Sequence, residues 1–172
     1  GRQWPPESNS YTNPSLEEIK KYVKYMVQVI PENTKLLVDT ARAYGLGESR
    51  IGELLASEKE LCDKILLSTK WGENWKIDDF NNLSGSRRGT VDHSMQNLVD
   101  STNFSLQNLK SFDLLYIHQA TIEVMKDFSI ISEMRRLSDL IGVSISDKEV
   151  LDRALASGLL DKFDALQVPV WL

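Results

Sequence analysis

A chain of 172 residues, 41% hydrophobic and 26% charged, is the size of one ordinary globular domain and too apolar for global disorder. A formal net charge of −5 argues against a nucleic-acid or anionic-membrane partner, since either needs a basic face. Cys62 is the only cysteine, which excludes an internal disulfide and a thiolate metal cluster and fits a reducing cytoplasm; no other metal-ligand set is read.

The opening residues, "GRQWPPESNS", carry neither an apolar core segment nor a cleavage pattern, and no stretch approaches the roughly 20 apolar residues of a membrane span. A soluble protein, 1–172 as a single domain, is expected. "PSLEEIKKYVKYMVQVI" then opens on Pro14-Ser15 with Glu17 and Glu18 in its first turn, a helix start with the favoured sign of charge. "KLLVD" (35 to 39) is a short apolar run of strand type, and "ESRIGELLASEKEL" puts Ile51, Leu54, Leu55 and Leu61 near one helical face. A second run, "KILLSTK" (64 to 70), precedes the loop segment "SGSRRG" (84 to 89), which lacks the spacing of a phosphate-binding loop.

"TVDHSMQNLVDSTNFSLQNL" predicts a helix with Val91, Met95, Leu98, Val99, Thr102, Leu106 and Leu109 inward and His93 on a solvated face. The third run, "FDLLYIH" (112 to 118), leads to the helix candidate "ATIEVMKDFSIISEMRRL". The fourth, "DLIGVS" (139 to 144), leads to "SDKEVLDRALASG", capped by Ser146 or Asp147 and stopped by Gly158. "FDALQV" (163 to 168) is the fifth. Cys62 reads as a small buried hydrophobe.

Alternating strands and helices predict a parallel sheet with right-handed crossovers. Each run ends on or beside a group able to do chemistry: Asp39, Lys70, His118, Ser144 and Gln167. A barrel gathers all its strand ends at one mouth, whereas an open sheet concentrates function at a switch point, and no Gly-x-Gly-x-x-Gly follows any run. The expected fold is therefore α/β, of the (β/α)8 TIM-barrel type. Such a barrel needs roughly 250 residues, and about five to six strand-helix units are present, counting Gly1 to Trp4 as a remnant of a first strand. A partial barrel is expected, its missing strands lying outside this sequence or supplied by another chain in an oligomer.

Gathered at one mouth, Asp39, Tyr44, Lys70 and His118 form a proton donor for a carbonyl under reduction. A tyrosine with a pKa of about 10 needs a nearby ammonium to give up its proton at neutral pH, and a carboxylate behind the lysine keeps that ammonium charged. Each residue has a plainer reading taken alone. Asp39 could cap the next turn, Lys70 could be a snorkelling surface lysine, His118 a hydrogen-bonded strand-end histidine, and Tyr44 a cover for the mouth.

"DTARAYGLGESRIG", "LLSTKWG", "SLQNLKSFDLLYIHQ", "LIGVSIS" and "FDALQVPV", in that order, resemble the motifs of the aldo-keto reductases over about residues 15 to 171. The resemblance implies an NADPH-dependent reduction of an aldehyde or ketone, with a small-molecule carbonyl substrate. In it Tyr44 is the general acid, Lys70 lowers its pKa, Asp39 pairs with Lys70, His118 orients the carbonyl, and Ser144 and Gln167 hold the nicotinamide carboxamide. Trp71 and Trp75 are candidates to line a substrate pocket, with a packing cluster at the rim as the alternative. Ile145 and Trp171 replace residues that are usually Asn, and the link from Leu109 to Asp113 is short. The segments that grip the adenosine phosphates in the family are not in this sequence. Another reading is a non-catalytic relative acting as a regulatory or binding subunit.

Overall fold

The computed structural model describes residues 14–74 and 90–170. Expectations placed on Gly1 to Trp4, Trp75, Ser84 to Gly89 and Trp171 lie outside them. In chain order the elements are α1 (Leu16–Val29), β1 (Leu36–Asp39), α2 (Gly47–Ser57), β2 (Ile65–Trp71), β3 (Glu73–Asn74), β4 (Thr90–Val91) and α3 (Met95–Leu109). β5 (Leu114–Ile117), α4 (Ile122–Lys126), α5 (Phe128–Leu137), β6 (Leu140–Ser144), α6 (Lys148–Ala156) and β7 (Ala165–Gln167) follow. All five apolar runs are strands, and they pair in parallel in the order β1-β2-β5-β6-β7. The sheet curls as a half-barrel with helices on its convex side, part of a (β/α)8 barrel. β3 and β4 form a separate two-stranded antiparallel ladder.

Local chemistry sets the helix ends. Ser15 caps α1 with a reciprocal box: Glu18 N–H donates to its Oγ at 3.2 Å, and its own N–H donates to Glu18 Oε2 at 2.7 Å. One long helix was expected from Ala120 to Leu137, but the chain breaks it at Asp127, whose Oδ1 accepts from Ser129 N–H at 2.9 Å and Ile130 N–H at 3.2 Å. That cap starts α5 as a separate helix. Asp147 caps α6 in the same way, and Gly158, at φ 65°, ends that segment in the left-handed region.

Register is fixed at the amino ends of the strands by a repeated Phe-Asp pair. Asp113 donates its N–H to Leu67 O at 2.8 Å and accepts from Leu67 N–H through Oδ2 at 2.7 Å. Asp164 does the same to Ile141, with both bonds at 2.8 Å. Each carboxylate thus takes the place of a missing ladder residue and locks β5 to β2 and β7 to β6. Arg135 adds an ion pair to Asp164.

Side chains alternate across the sheet. Leu115, Ile117, Ile141 and Val143 point outward into a core shared with α3, α4 and α5, while Ile65 and Leu67 join Val23, Leu54 and Leu109 in a second core under α1, α2 and α3. Cys62 departs from expectation: it is exposed. It lies in a 3₁₀ turn, Lys59–Lys64, whose tight period turns Leu61 into the second core and the next residue outward.

The largest departure is α3. Its buried face consists of Asn97, Leu98, Ser101, Thr102, Ser105 and Leu109, whereas Val91, Met95 and Leu106 are exposed. The helix is rotated so that its small polar residues meet polar partners on neighbouring elements. It also lies close to α2, because Gly52 sits where a Cβ would be 2.0 Å from the Asn108 carbonyl oxygen.

Candidate active site

β1 ends on Asp39, which pairs in register with Ser68 of β2, so that Lys70 projects two residues further along the same concave face. Asp39 is heavily solicited. Its Oδ1 accepts from Ser68 Oγ at 2.7 Å, and its Oδ2 accepts from Lys70 Nζ at 2.5 Å and from Gln167 Nε2 at 3.2 Å. Lys70 also donates to the Thr40 carbonyl at 3.0 Å, and its side chain is fully enclosed. Burial pushes the Lys70 ammonium below the ordinary lysine value; the charge and hydrogen bond of Asp39, and more weakly the charge of Glu73, resist but do not cancel that fall.

Tyr44 reaches this pair through a tight turn, its N–H donating to Ala41 O at 2.9 Å and its carbonyl accepting from Gly47 N–H at 3.0 Å. Lys70 Nζ lies 4.7 Å from the Tyr44 ring centroid. The Tyr44 ring also meets His118 edge to face, with centroids 5.7 Å apart and planes at 85°. His118 follows β5 and is buried; its N–H donates to Trp71 O at 2.7 Å. The structure therefore brings Asp39, Tyr44, Lys70 and His118 together at the carboxyl end of the sheet.

Ser144 ends β6 in register with Gln167 of β7. Gln167 reaches Asp39, and Ser144 stands half-buried beside it. Ser144 and Gln167 thus place two polar groups on adjacent strand ends next to the tetrad. Ile145, the next residue, is turned into the outer apolar core, 2% exposed.

Trp71 is a correction. It is fully buried, because alternation along β2 puts it on the face opposite Lys70, where it packs in the core with Leu98 and Ile117. His93 is a second correction. It precedes α3, is half-buried, stacks edge-on to Trp71 at 5.7 Å, and brings Nε2 to 2.9 Å from the His118 carbonyl oxygen. Gly72 permits this contact: its φ is 106°, and a Cβ there would lie 2.7 Å from the His93 ring.

Three residues escaped the sequence reading. Glu73, buried in β3, brings Oε2 to 3.2 Å from His118 Nε2. Tyr116 pairs in register with Lys70 and lies 5.9 Å from its Nζ at the ring centroid. Burial, helped by the charge of Asp39, raises the Tyr116 phenol above its usual pKa. Glu48, at the start of α2, is 1% exposed.

Residues 7–170 match the family model described as Aldo/keto reductase family. Among solved structures, a protein assigned as an aldo-keto reductase from Pseudomonas aeruginosa superposes with a TM-score of 0.66 at 22% identity, over 90% of this chain and 56% of its own. The holo form of an aldo-keto reductase from Bacillus halodurans gives 0.66 at 18% identity, over 92% and 50%. A protein assigned as a 2,5-diketo-D-gluconic acid reductase B gives 0.55 at 20% identity, over 91% and 50%. The chain thus spans about half the length of the solved structures it matches. No curated protein sequence matches it significantly.

Proposed function

Since the chain belongs to the aldo/keto reductase family, we propose that its site serves the NADPH-dependent reduction of an aldehyde or ketone to an alcohol. The observation that carries this reading is the contact of Lys70 Nζ with Asp39 at 2.5 Å, beneath a tyrosine ring 4.7 Å away.

In this reading Tyr44 gives its phenolic proton to the carbonyl oxygen as the oxygen gains negative charge. The Lys70 ammonium favours the phenolate left behind, and Asp39 keeps Lys70 charged and aimed in spite of its burial. His118 orients the carbonyl, and Glu73 Oε2 stands 3.2 Å from its Nε2. Ser144 and Gln167 would hold the carboxamide of a nicotinamide. A bound nicotinamide dinucleotide supplies the hydride that reaches the carbonyl carbon.

The test is to follow nicotinamide absorbance with NADPH and a panel of aldehydes, with Tyr44→Phe as control. The expected loss in the variant is about 100-fold or more. Equal activity in the variant removes Tyr44 from its role; absence of turnover together with no NADPH quenching of tryptophan fluorescence overturns the reductase reading.

Two observations favour a second reading, a non-catalytic relative that serves as a binding or regulatory subunit. Ile145 is buried away from the concave face, and the Gln167 amide is engaged by Asp39. Under that reading NADPH neither turns over nor quenches fluorescence.

A further inference from the structure

The helix that follows the Tyr44 turn begins at Gly47, and its second residue is a buried acid. Glu48 Oε1 accepts from Thr69 Oγ1 and from Ser105 Oγ, both at 2.6 Å. Thr69 is the residue of β2 directly before Lys70, and Ser105 belongs to the buried face of α3. One carboxyl oxygen therefore joins the end of the Tyr44 loop, the strand that carries Lys70, and a helix outside the sheet. Before Tyr44, Arg42 makes a matching attachment: Nη1 donates to Ser101 Oγ at 2.9 Å, and the guanidinium lies 5.1 Å from the Phe104 ring centroid. The turn is thus held to α3 on both sides of the tyrosine.

Packing alone does not call for an acid at this position, because a buried carboxyl costs desolvation that an apolar side chain avoids. Burial pushes the Glu48 carboxyl above the usual range; the two hydroxyl donors and the charge of Arg42 oppose the shift without reversing it. Helix α3 can approach closely enough to supply Ser105 only because residue 52 is glycine. Two serines of its buried face, Ser101 and Ser105, are the attachment points.

We propose that Glu48 is a positioning residue for the Tyr44–Lys70 pair, its Oε1 being the point at which the Tyr44 loop, the Lys70 strand and α3 are fixed to one another. Its effect on turnover rests on the reductase reading; its effect on Lys70 does not. Glu48→Gln keeps an acceptor oxygen at the same place and preserves the geometry. Glu48→Ala removes it and lets the loop move relative to β2.

The experiment compares wild type, Glu48→Gln, Glu48→Ala and Thr69→Val by two readouts. The first is the titration of Lys70, followed by NMR on isotope-labelled lysine and assigned with Lys70→Met. The second is the split of kcat against KM for an aldehyde. Expected are a Lys70 midpoint that rises towards the ordinary lysine value in Glu48→Ala, a kcat reduced by about 100-fold for a displacement near 1 Å, and near wild-type behaviour in Glu48→Gln. A folded Glu48→Ala with unchanged Lys70 titration and kcat overturns the proposal, as does a Glu48→Gln variant that behaves like alanine. If Glu48→Ala does not fold, Thr69→Val decides, since it cuts only the bond to the Lys70 strand: a raised midpoint supports the proposal, an unchanged one overturns it. Absence of turnover in wild type sinks the reductase reading and leaves the Lys70 titration to judge Glu48.

Discussion

Gln167 and Asp39 are 128 residues apart, on the two outermost strands of the sheet, yet the Gln167 amide donates to the Asp39 carboxylate at 3.2 Å. Two edge strands can touch in this way only if the sheet between them is strongly curled, so the contact is a clasp across the half-barrel. Gln167→Leu keeps the approximate volume and removes the donor. The expected cost is about 1 kcal/mol, from one hydrogen bond to a partly exposed charged partner, read as a lower urea midpoint with an unchanged slope.

Asp39 and burial act on Lys70 in opposite directions, and burial prevails. Asp39→Asn removes the charge that holds the ammonium up and leaves the desolvation in place. The Lys70 pKa is expected to fall further below its wild-type value, so the lysine loses its proton at lower pH. The NMR titration of Lys70 in the folded variant checks the sign; a rise contradicts it.

Gly52 allows α2 to lie against α3, where a Cβ would meet the Asn108 carbonyl oxygen at 2.0 Å. Backbone cannot yield there as a flexible side chain could. Gly52→Ala is expected to destabilise the fold by about 1–3 kcal/mol, as overpacking does, despite the gain in helix propensity. Denaturant unfolding measures it.

Glu48 predicts a pH dependence of stability. Its folded pKa is raised above the unfolded value, so its contribution is fully present below the unfolded pKa and is lost as pH rises through the folded pKa. Glu48→Gln has no proton to lose. Its stability relative to wild type is therefore expected to improve as pH rises through the interval above 4.5, the ordinary glutamate value. Urea midpoints of the two proteins across that range test this, and a constant difference contradicts it.

The five strands were legible because parallel strands covered on both faces are short unbroken apolar runs, and Leu36, Ile65 and Leu115 stand in such runs. Asp39, Lys70 and His118 were legible because a strand that ends on a polar residue announces a rim. Helix α3 was misread because its buried Asn97, Ser101 and Ser105 have the composition of a solvated face; only partners distant in sequence, Asn74, Arg42 and Glu48, make burial tolerable. Glu48 itself resembles an acid placed to favour a helix dipole. Trp71 was assigned by adjacency to Lys70, when alternation along a strand sends neighbours to opposite faces. Glu73 and His93 carry no local signal, since their contacts with His118 depend on β3 and β4 folding back.

The two Phe-Asp pairs have a consequence for how this protein can change. They bind the amino ends of β5 and β7 to Leu67 of β2 and Ile141 of β6, whereas Lys70 and Ser144 stand three residues further along those two strands, roughly 10 Å away. Alignment is settled on one rim and chemistry is exhibited on the other. Substitutions on the reactive rim can therefore accumulate, and new specificities be tried, without the strands losing their place relative to one another.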